Sequence, residues 1–584
     1  MASTRTDVDA SAREQGSAAA EGAGDRPTAE PETRPWWRRR GTLIALVVIA
    51  LAFALPLRGL LRGQGAPMEE GFMLAFPERV LAGDVANKDF LHLYGPGSLW
   101  VLAGVYQIFG VELPVERLVG LAQMIGLVMG LFALARPWGR LLSTLVALVA
   151  VFIILPTSLV ALAWIGALAF GVWAVFAAVK ARGAPPGSKA ARWWSVAAGL
   201  LAGAALLYRP DLIVATLGAL LVVLWRIDGQ RRNRFLAGLG IGLVPYVVHG
   251  LMAGPWTAIE GMFIDPVFYL RGGRRLPIPP SPNDLAGFLQ RVGEFGLLDW
   301  PVPTLNTAEQ NAIWFWLMFA TVATLLAVGV FSVGLLPQGV QRVDSTHFAW
   351  ATTVSLGFLP VALYELLGPR WLQRRPALRA GLAGGVVLAV LIAVLPNYTV
   401  RRYADYVVQS TGKHRLFAYP VTWEGRTFYY GRRDVDEAMD ELLPVIDRLT
   451  EPGDRLFVGP ADLRRTPYSE AFLYYLFPEL VPGTHYIEMD PGVADREGSG
   501  LDEDLASSDI AVLSRVWTNW DEPNDSRKIG SSDPVKVLEE QFCFVGSFGV
   551  RRDRSKFKSP NEGDPLFDLY LPRPEDADCP PPEG

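Results

Sequence analysis

The chain has 584 residues, of which 51% are hydrophobic and only 19% are charged. A soluble domain needs more surface charge than this, so the composition excludes a wholly soluble protein. The net charge of −5 comes from 54 basic and 59 acidic residues, with no basic field that suggests nucleic-acid binding. Apolar blocks of about twenty residues, separated by short arginine-rich breaks, instead predict a polytopic α-helical membrane protein.

The N-terminal segment, 1–36, is rich in Ala, Glu, Ser, Thr, Gly and Pro, and it predicts a disordered cytoplasmic tail. It is too polar and acidic for a signal peptide, so the first apolar segment, 43–60, is expected to be a retained span. Three consecutive arginines, 38–40, precede that span directly. By the positive-inside rule the N-terminus is cytoplasmic and the following loop, 61–98, lies outside.

This loop begins with a short amphipathic helix at 68–81, whose apolar residues recur at helical spacing. Glu69 and Glu70 fall in its first turn, where carboxylates interact favourably with the helix dipole. A helix N-terminus at a membrane surface is therefore one explanation of the two acids. The functional alternative is a general base that takes a proton from a sugar hydroxyl, with Glu70 preferred and Glu69 second.

Asp89 follows, and Tyr94-Gly95-Pro96-Gly97 predicts a turn that folds the loop back toward the helix. The two glutamates, Asp89 and His92 are therefore expected to converge, although a lone interfacial histidine is more often structural. Glu70 and Asp89 are also candidate ligands of a divalent cation, either Mg²⁺ or Mn²⁺.

Apolar segments of membrane-spanning character continue along the chain after a short juxtamembrane run at 98–109. We predict further spans at 114–135, 141–156, 158–179, 194–208, 212–225, 235–252, 312–336, 347–367 and 379–396. A second outer loop, 254–310, is rich in Pro and Gly. Together these segments predict a transmembrane domain at 37–397.

The charge pattern conflicts with this number of spans in one place. Strict alternation puts Arg342 inside and the cluster Arg374, Arg375 and Arg379 outside, against the positive-inside rule. We therefore expect a further crossing or re-entrant segment within 254–336, which makes about 10 or 11 spans in all.

The composition changes near residue 398, where charges become frequent and apolar runs shorten to strand length. Strand patterns such as 455–460 and 484–490 alternate with helical patterns such as 434–449, which predicts an extracytoplasmic α/β domain at 398–574. A short disordered tail, 575–584, follows. The only cysteines, Cys543 and Cys579, can pair outside the cytoplasm, and two free thiols are the open alternative.

Two polar groups beside predicted spans are candidate ligands. Arg209 and Asp211 join two short apolar segments, where they either pair with each other or bind a phosphate, which arginine contacts bidentately. Arg342, Asp344 and His347 form the second group. Outside, Arg342 and His347 would suit phosphate or an acceptor; inside, they would be part of an ordinary loop.

Glycines surround three arginines of the second outer loop, Arg271, Arg274 and Arg275. They are consistent with a mobile basic lid, but a solvated charge run is the favoured reading. Polar and aromatic loop residues near 484–495 and 517–530 suit sugar binding, but a role as ordinary loop residues is slightly favoured.

The order of these features resembles the GT-C class of integral-membrane glycosyltransferases, especially the bacterial branch with aminoarabinose, protein-mannosyl and rhizobial-type sugar transferases. The resemblance covers roughly 40–255. It rests on the first span, the acidic pair, a second acid, an aromatic and proline turn, and Arg117 in the next apolar stretch. The chain departs from the class in having Glu-Glu for a mixed Asp and Glu pair, and Tyr-Gly-Pro-Gly for Tyr-Pro-Pro.

The resemblance implies a fold, a reaction and several site residues. The reaction would move a hexosyl or pentosyl group from a polyprenyl-phosphate donor to a glycan, lipid or protein acceptor of the cell envelope, inverting the anomeric centre. Glu70, Glu69 and Asp89 would be catalytic, and Arg209 would face the donor phosphate. The other candidate substrate contacts are His92, Tyr94, Asp211, Arg342 and His347. The implied location is a bacterial plasma membrane.

Two other functions fit a protein of this composition. A transporter or flippase of lipid-linked envelope precursors would show two halves with matching broken helices, and the sequence shows none. A nonenzymatic scaffold that holds the C-terminal domain at the membrane would have no need of acids in its first loop.

Overall fold

The computed structural model describes residues 40–278, 290, 305–324, 329–366, 370–395, 397–412, 418–518, 522–552, 563–574 and 579. The predicted tails lie outside these residues, apart from Cys579. The chain divides into two units, Met1–Ile44 and Ala45–Gly584. Of the first unit, only the helical residues 40–44 are described.

Helices make up the N-terminal two thirds of the described chain. The first nine are α1 (Arg40–Leu61), α2 (Glu69–Ala82), α3 (Gly97–Phe109), α4 (Leu113–Ala135), α5 (Arg140–Ile154), α6 (Ala163–Gly183), α7 (Lys189–Tyr208), α8 (Ile213–Val223) and α9 (Gly229–Ala253). Short 3₁₀ turns occupy Arg136–Trp138, Leu155–Thr157 and Pro210–Leu212.

The next helices include two π-helical segments, at Glu260–Leu270 and Asn397–Arg401. The α-helices are α10 (Pro255–Ile259), α11 (Arg271–Arg274), α12 (Thr307–Thr324), α13 (Gly329–Gln341), α14 (Ser345–Leu366), α15 (Arg370–Gln373), α16 (Pro376–Val394) and α17 (Arg402–Ser410).

Within the described residues, eight helices are long and apolar enough to cross a membrane. They are Arg40–Leu61, Leu113–Trp138, Arg140–Thr157, Ala163–Gly183, Lys189–Tyr208, Gly229–Ala253, Ser345–Leu366 and Pro376–Val394. The predicted multi-span α-helical architecture is thereby confirmed. The runs at 98–109 and 212–225 form the shorter apolar helices α3 and Pro210–Val223.

The segment predicted as one span at 312–336 is instead divided between α12 and α13. The chain before and after this pair lies on the same side, since Arg342 Nη1 donates to the Arg274 carbonyl over 3.2 Å. The backbone N–H of Leu276 also donates to the Gln341 carbonyl. Arg342 and Arg374 lie at opposite ends of α14, which agrees with the charge pattern. Neither α12 nor α13 is among the eight helices long and apolar enough to cross a membrane, so the further crossing or re-entrant segment within 254–336 stays a prediction.

Small residues allow α7 and α9 to pack closely. Gly199 and Gly203 on α7 face Gly238 and Gly242 on α9, and a Cβ at Gly203 would lie 2.7 Å from the Gly242 Cα. Two small residues four apart on each helix are a typical interface between membrane helices, because they let the backbones approach. This contact fixes the end of α7, where Arg209 follows.

The C-terminal α/β domain contains a hairpin and a mixed sheet. The hairpin pairs β1 (Tyr419–Trp423) with β2 (Arg426–Tyr430). The sheet has the order β4-β3-β5-β7-β6, with strands β3 (Arg455–Pro460), β4 (Val481–Pro482), β5 (Ile510–Ser514), β6 (Phe542–Val550) and β7 (Pro565–Pro572). Strand β3 runs parallel to β4 and β5, whereas β7 runs antiparallel to β5 and β6.

The helices of this domain are α18 (Arg433–Leu449), α19 (Phe472–Leu476), α20 (Leu501–Ala506) and α21 (Asp533–Gln541), with a 3₁₀ turn at Asp525–Arg527. Cys543 on β6 forms a disulfide with Cys579.

One predicted strand, 484–490, is a loop in the structure. The Asp504 carboxylate accepts hydrogen bonds from the His485 backbone N–H and the Thr484 hydroxyl, and that hydroxyl also accepts from the Tyr486 N–H. Side chains that bind the local backbone in this way compete with a strand ladder. The loop carries two acids of the site described next.

Helix α2 packs on the C-terminal domain rather than standing free. Phe72 and Phe76 belong to one buried cluster with Val458 on β3 and Val512 on β5. The Phe472 backbone N–H donates to the Pro67 carbonyl just before α2. This packing fixes the position of Glu69 relative to the domain.

Candidate active site

A cavity of about 460 Å³ lies between the membrane helices and the C-terminal domain. Its walls come from the start of α2, the turn between α7 and α8, the segment from Glu260 to Arg274, the turn between α13 and α14, and loops of the α/β domain. The polar residues that line it are Glu69, Tyr94, Arg209, Asp211, Arg271, Arg274, Gln338, Gln341, Arg342, His347, Tyr468, Glu488 and Asp490.

Glu69 lines this cavity from the first turn of α2. The Tyr468 hydroxyl donates to Glu69 Oε2 over 2.8 Å, and the same hydroxyl accepts from the Met68 backbone N–H over 3.4 Å. The Glu69 carboxylate is half-buried, and the hydrogen bond from Tyr468 orients it. Such a group can take a proton from a hydroxyl that enters the cavity.

Glu70 does not line the cavity. It is fully buried on the other side of α2, where Arg117 Nε and Nη2 donate to its two oxygens over 2.7 and 2.8 Å. Arg117 Nη1 also donates to the carbonyls of Leu60, Leu61 and Gly63. Arg117 thus binds both oxygens of Glu70. The sequence favoured Glu70 over Glu69 as the general base, but the geometry favours Glu69, which lines the cavity.

Asp89 and His92 do not join Glu69 either. Asp89 is exposed and accepts from the Val85 backbone N–H over 2.8 Å, as a turn residue does. His92 is buried, with its ring against the edges of Phe76 and Tyr94. Burial, followed by the nearby His249, lowers the pKa of His92 to about 3, so this imidazole is neutral. Asp89 and His92 therefore do not converge with Glu69, because Asp89 is hydrogen-bonded at an exposed turn and His92 is packed between aromatic rings.

Glu70 and Asp89 are equally unsuited to share a metal ion, because one is buried against Arg117 and the other is exposed. Across the part of the chain that is described, no group of three or more His, Cys, Asp or Glu side chains could hold a metal ion. We therefore derive no step through a metal ion, and the use of Mg²⁺ or Mn²⁺ stays a prediction.

Arg209, Tyr94 and Asp211 do come together in the cavity. The Arg209 guanidinium lies over the Tyr94 ring at 4.2 Å and over the Trp164 ring at 4.8 Å. Its Nε and Nη2 donate to the two Asp211 oxygens over 2.9 and 2.8 Å, and Gln338 also donates to Asp211. Arg209 is therefore paired with Asp211, as one reading of the sequence expected, and it also lines the cavity; phosphate binding by Arg209 stays a prediction.

Arg342 and His347 line the same cavity as Glu69, which places them on the side of the first loop. Arg342 Nη2 donates to Glu522 of the C-terminal domain over 2.6 Å, and its Nε donates to Asp344 over 2.9 Å. His347 Nδ1 lies 3.0 Å from the Asp344 carboxylate. This group therefore lies on the same side as the first loop, and its membrane side stays a prediction together with that of the loop.

The sequence missed several cavity residues. Arg274, which we read as a solvated charge, donates to Asp490 Oδ1 from Nη2 over 2.8 Å. Tyr468, Glu488 and Asp490 come from loops of the C-terminal domain. The only sequence signal for Glu488 and Asp490 was the cluster of aromatic and acidic residues at 484–490, which is common in loops, and Tyr468 had none.

Comparisons with known proteins concern the fold. No family model and no curated protein sequence matches the chain. Two structures of ArnT from Cupriavidus metallidurans are similar to it, one bound to undecaprenyl phosphate at 15% identity and one in the apo state at 16%. Each match covers 91% of this chain and 98% of the ArnT chain, with a TM-score of 0.50.

An apo-form oligosaccharyltransferase from Archaeoglobus fulgidus is also similar, at 12% identity, over 92% of this chain and 77% of that one, with a TM-score of 0.44. The ArnT matches agree with the expectation drawn from the first loop. The chain therefore has the GT-C fold of the ArnT structures, with a multi-span helical part and a C-terminal α/β part.

Proposed function

We propose that this protein is a membrane glycosyltransferase that moves a sugar from a polyprenyl-phosphate donor to a hydroxyl of a cell-envelope acceptor, with Glu69 as general base. One observation carries the proposal: an oriented carboxylate and four arginines, Arg209, Arg271, Arg274 and Arg342, line a single cavity. The ArnT structure with undecaprenyl phosphate, whose fold this chain shares, supports the class of donor.

The leaving group of this reaction is a lipid phosphate, which needs positive charge in the transition state. Arg209 is the leading phosphate ligand, because its guanidinium lines the cavity beside the Tyr94 ring and arginine can contact a phosphate bidentately. Arg274 and Arg342 are the further candidates. Each of the three is paired with an acid, Asp211, Asp490 or Glu522, so the donor phosphate shares the guanidinium with that acid or replaces it.

The transfer is a single in-line displacement. The acceptor hydroxyl gives its proton to Glu69 while its oxygen bonds to the anomeric carbon. The bond from that carbon to the phosphate oxygen breaks on the opposite face, its electron pair stays with the phosphate, and the configuration inverts. Tyr468, which donates to Glu69, holds the carboxylate in position. The sugar is a hexosyl or pentosyl group, and the acceptor is a glycan, lipid or protein.

One wall of the cavity is apolar and suits the isoprenoid chain of the donor. It is formed mainly by the π-helical segment Glu260–Leu270. Phe263 and Val267 of this segment are both lining and substantially exposed, which is typical of a surface that contacts lipid.

We further propose that the cavity and the C-terminal domain face the outside of a bacterial plasma membrane, with the N-terminus in the cytoplasm. The disulfide between Cys543 and Cys579 supports this side, because disulfides persist in oxidising compartments. The arginines at 374, 375 and 379 lie at the other end of α14, which agrees with the positive-inside rule.

The deciding experiment is a transfer assay with the full-length protein in lipid nanodiscs, polyprenyl-phosphate-linked sugars and envelope acceptors. We expect a glycosylated product and release of polyprenyl phosphate. A flippase would move the lipid across a vesicle without forming product, and a scaffold would do neither. Chelation by EDTA and re-addition of Mg²⁺ or Mn²⁺ in the same assay would test metal use.

Replacing Arg209 by Gln is expected to weaken polyprenyl-phosphate binding about tenfold or more, because it removes a charged donor to the phosphate. Arg209→Lys should recover part of the affinity, since it keeps the charge and loses the fork. Binding of undecaprenyl phosphate to the purified variants measures this. Arg192→Gln, at the exposed start of α7, is the matched control; an equal loss there would contradict the assignment.

The disulfide gives a test of location. In intact cells, Cys543 and Cys579 should resist alkylation by a maleimide until a reductant is added, because both sulfurs are bonded. Cys543→Ser should leave Cys579 reactive toward a membrane-impermeant maleimide. Labelling of that variant only after the cells are opened would place the domain in the cytoplasm.

A further inference from the structure

The loop between β4 and α20 carries two acids that the proposed reaction does not use. Glu488 and Asp490 both line the cavity, and their exposed fractions are only 6% and 3%. Asp490 Oδ1 accepts from Arg274, but Asp490 Oδ2 and Glu488 Oε1 are buried and accept no hydrogen bond. A buried acceptor without a donor costs free energy, so a ligand group that donates hydrogen bonds to these oxygens would be stabilised in the cavity.

The backbone brings the two acids together. Met489 lies between them with a φ of +50°, a left-handed conformation that a residue other than glycine rarely adopts. Its side chain is completely buried among residues such as Phe457 and Leu513, which holds the backbone there. Such strain persists where the surrounding structure imposes it, commonly at functional sites.

The charges around the pair disfavour a ligand group with a negative charge and favour one that donates hydrogen bonds. Burial, followed by the charge of the neighbouring Asp490, raises the pKa of Glu488 well above its ordinary value; a side-chain hydrogen bond between the two acids raises it further, while Arg274 acts in the opposite direction. The negative charge of Glu69, which lines the same cavity, also raises the pKa of Glu488. Hydroxyl groups of a sugar donate to such oxygens without adding a further negative charge.

We propose that Glu488 and Asp490 determine which sugar is transferred, by accepting hydrogen bonds from two hydroxyl groups of the donor sugar through Glu488 Oε1 and Asp490 Oδ2. This rests on the proposed function. Arg274 positions Asp490 by occupying its other oxygen, so the same arginine links the phosphate end of the donor to the sugar end. Recognition by buried acceptors is discriminating, because a sugar that lacks the matching hydroxyl leaves them unpaired.

The test compares two ligands on one protein: undecaprenyl phosphate without a sugar, and a panel of polyprenyl-phosphate-linked hexoses and pentoses. Glu488→Met keeps the length of the side chain and removes both acceptor oxygens. We expect this variant to bind its preferred sugar-linked lipid at least tenfold more weakly than the wild type, and to bind bare undecaprenyl phosphate within twofold of it. Glu488→Gln keeps one acceptor oxygen, so its affinity for the sugar-linked lipid should lie between those of the wild type and Glu488→Met.

Glu497→Met is the matched control, because Glu497 is an exposed acid of the same loop. It should bind every lipid as the wild type does. Deoxy analogues of the preferred sugar should lose affinity for the wild type and not for Glu488→Met, which identifies the hydroxyl that is read.

Equal losses of both ligands in Glu488→Met would overturn the proposal, since the residue would then act on the phosphate or on the fold. Unchanged binding of all sugar-linked lipids would overturn it as well. Failure of the proposed function looks different, because the wild type itself would then bind neither bare nor sugar-linked polyprenyl phosphate.

Discussion

Glu69→Gln is expected to lower sugar transfer about a hundredfold or more while the protein still binds undecaprenyl phosphate. The amide keeps the size of the side chain and can still accept from Tyr468, but it cannot take the proton of the acceptor hydroxyl. General-base catalysis typically contributes about 10²- to 10⁴-fold. The transfer assay at saturating donor and a separate lipid-binding measurement distinguish the two steps.

The control is Asp89→Asn, which changes an exposed acid of the same loop outside the cavity. It should retain transfer within about twofold to threefold, in the range of an ordinary surface substitution. Retention of most activity by Glu69→Gln, or a deep loss in Asp89→Asn, would contradict the assignment of the base.

Glu70→Ala is expected to destabilise the folded protein strongly, by about 3–5 kcal/mol, because it removes the carboxylate that is hydrogen-bonded to the buried Arg117 charge. The two side chains are only 1% and 3% exposed, so water cannot replace the lost partner. The measurement is the thermal unfolding midpoint and the folded yield in detergent. Arg117→Met should have a comparable effect, and the double variant Glu70→Leu/Arg117→Met should cost less than the sum of the two.

The pair Glu78 and Arg426 provides the comparison. It joins α2 to the C-terminal domain, whereas the Glu70–Arg117 pair joins α2 to α4, and its side chains are 23% and 20% exposed. Glu78→Gln should therefore cost about 1 kcal/mol or less, as partly solvated pairs do. A Glu70→Gln variant with full stability and no transfer would restore Glu70 as the catalytic residue.

The sequence predicted the main architecture because its strongest signals are local. Apolar blocks of membrane length, arginine clusters and the change near residue 398 each depend on a short stretch of chain. The division at 307–341 was less visible, since α12 and α13 together read as one apolar run. The charge pattern around Arg342 was the only sequence signal for a further segment within 254–336.

The site was harder to predict because its residues meet only in the folded chain. Helical periodicity could not separate Glu69 from Glu70, as adjacent residues point in directions about 100° apart and either side could have faced the cavity. The ion pair between Glu70 and Arg117, which are 47 residues apart in the sequence, turns Glu70 away from the cavity. Tyr468, Glu488 and Asp490 lie about 400 residues from Glu69, and no local pattern connects them.

The contacts across the cavity have a consequence for engineering. Arg274 reaches Asp490, Arg342 reaches Glu522, and Tyr468 reaches Glu69, so the α/β domain contributes part of the lining itself. A soluble fragment cut near residue 398 would carry only half of a pocket. Chimeras that exchange this domain between related proteins should keep their activity only when the membrane-domain residues that contact it, Glu69, Arg274 and Arg342, stay matched to their partners.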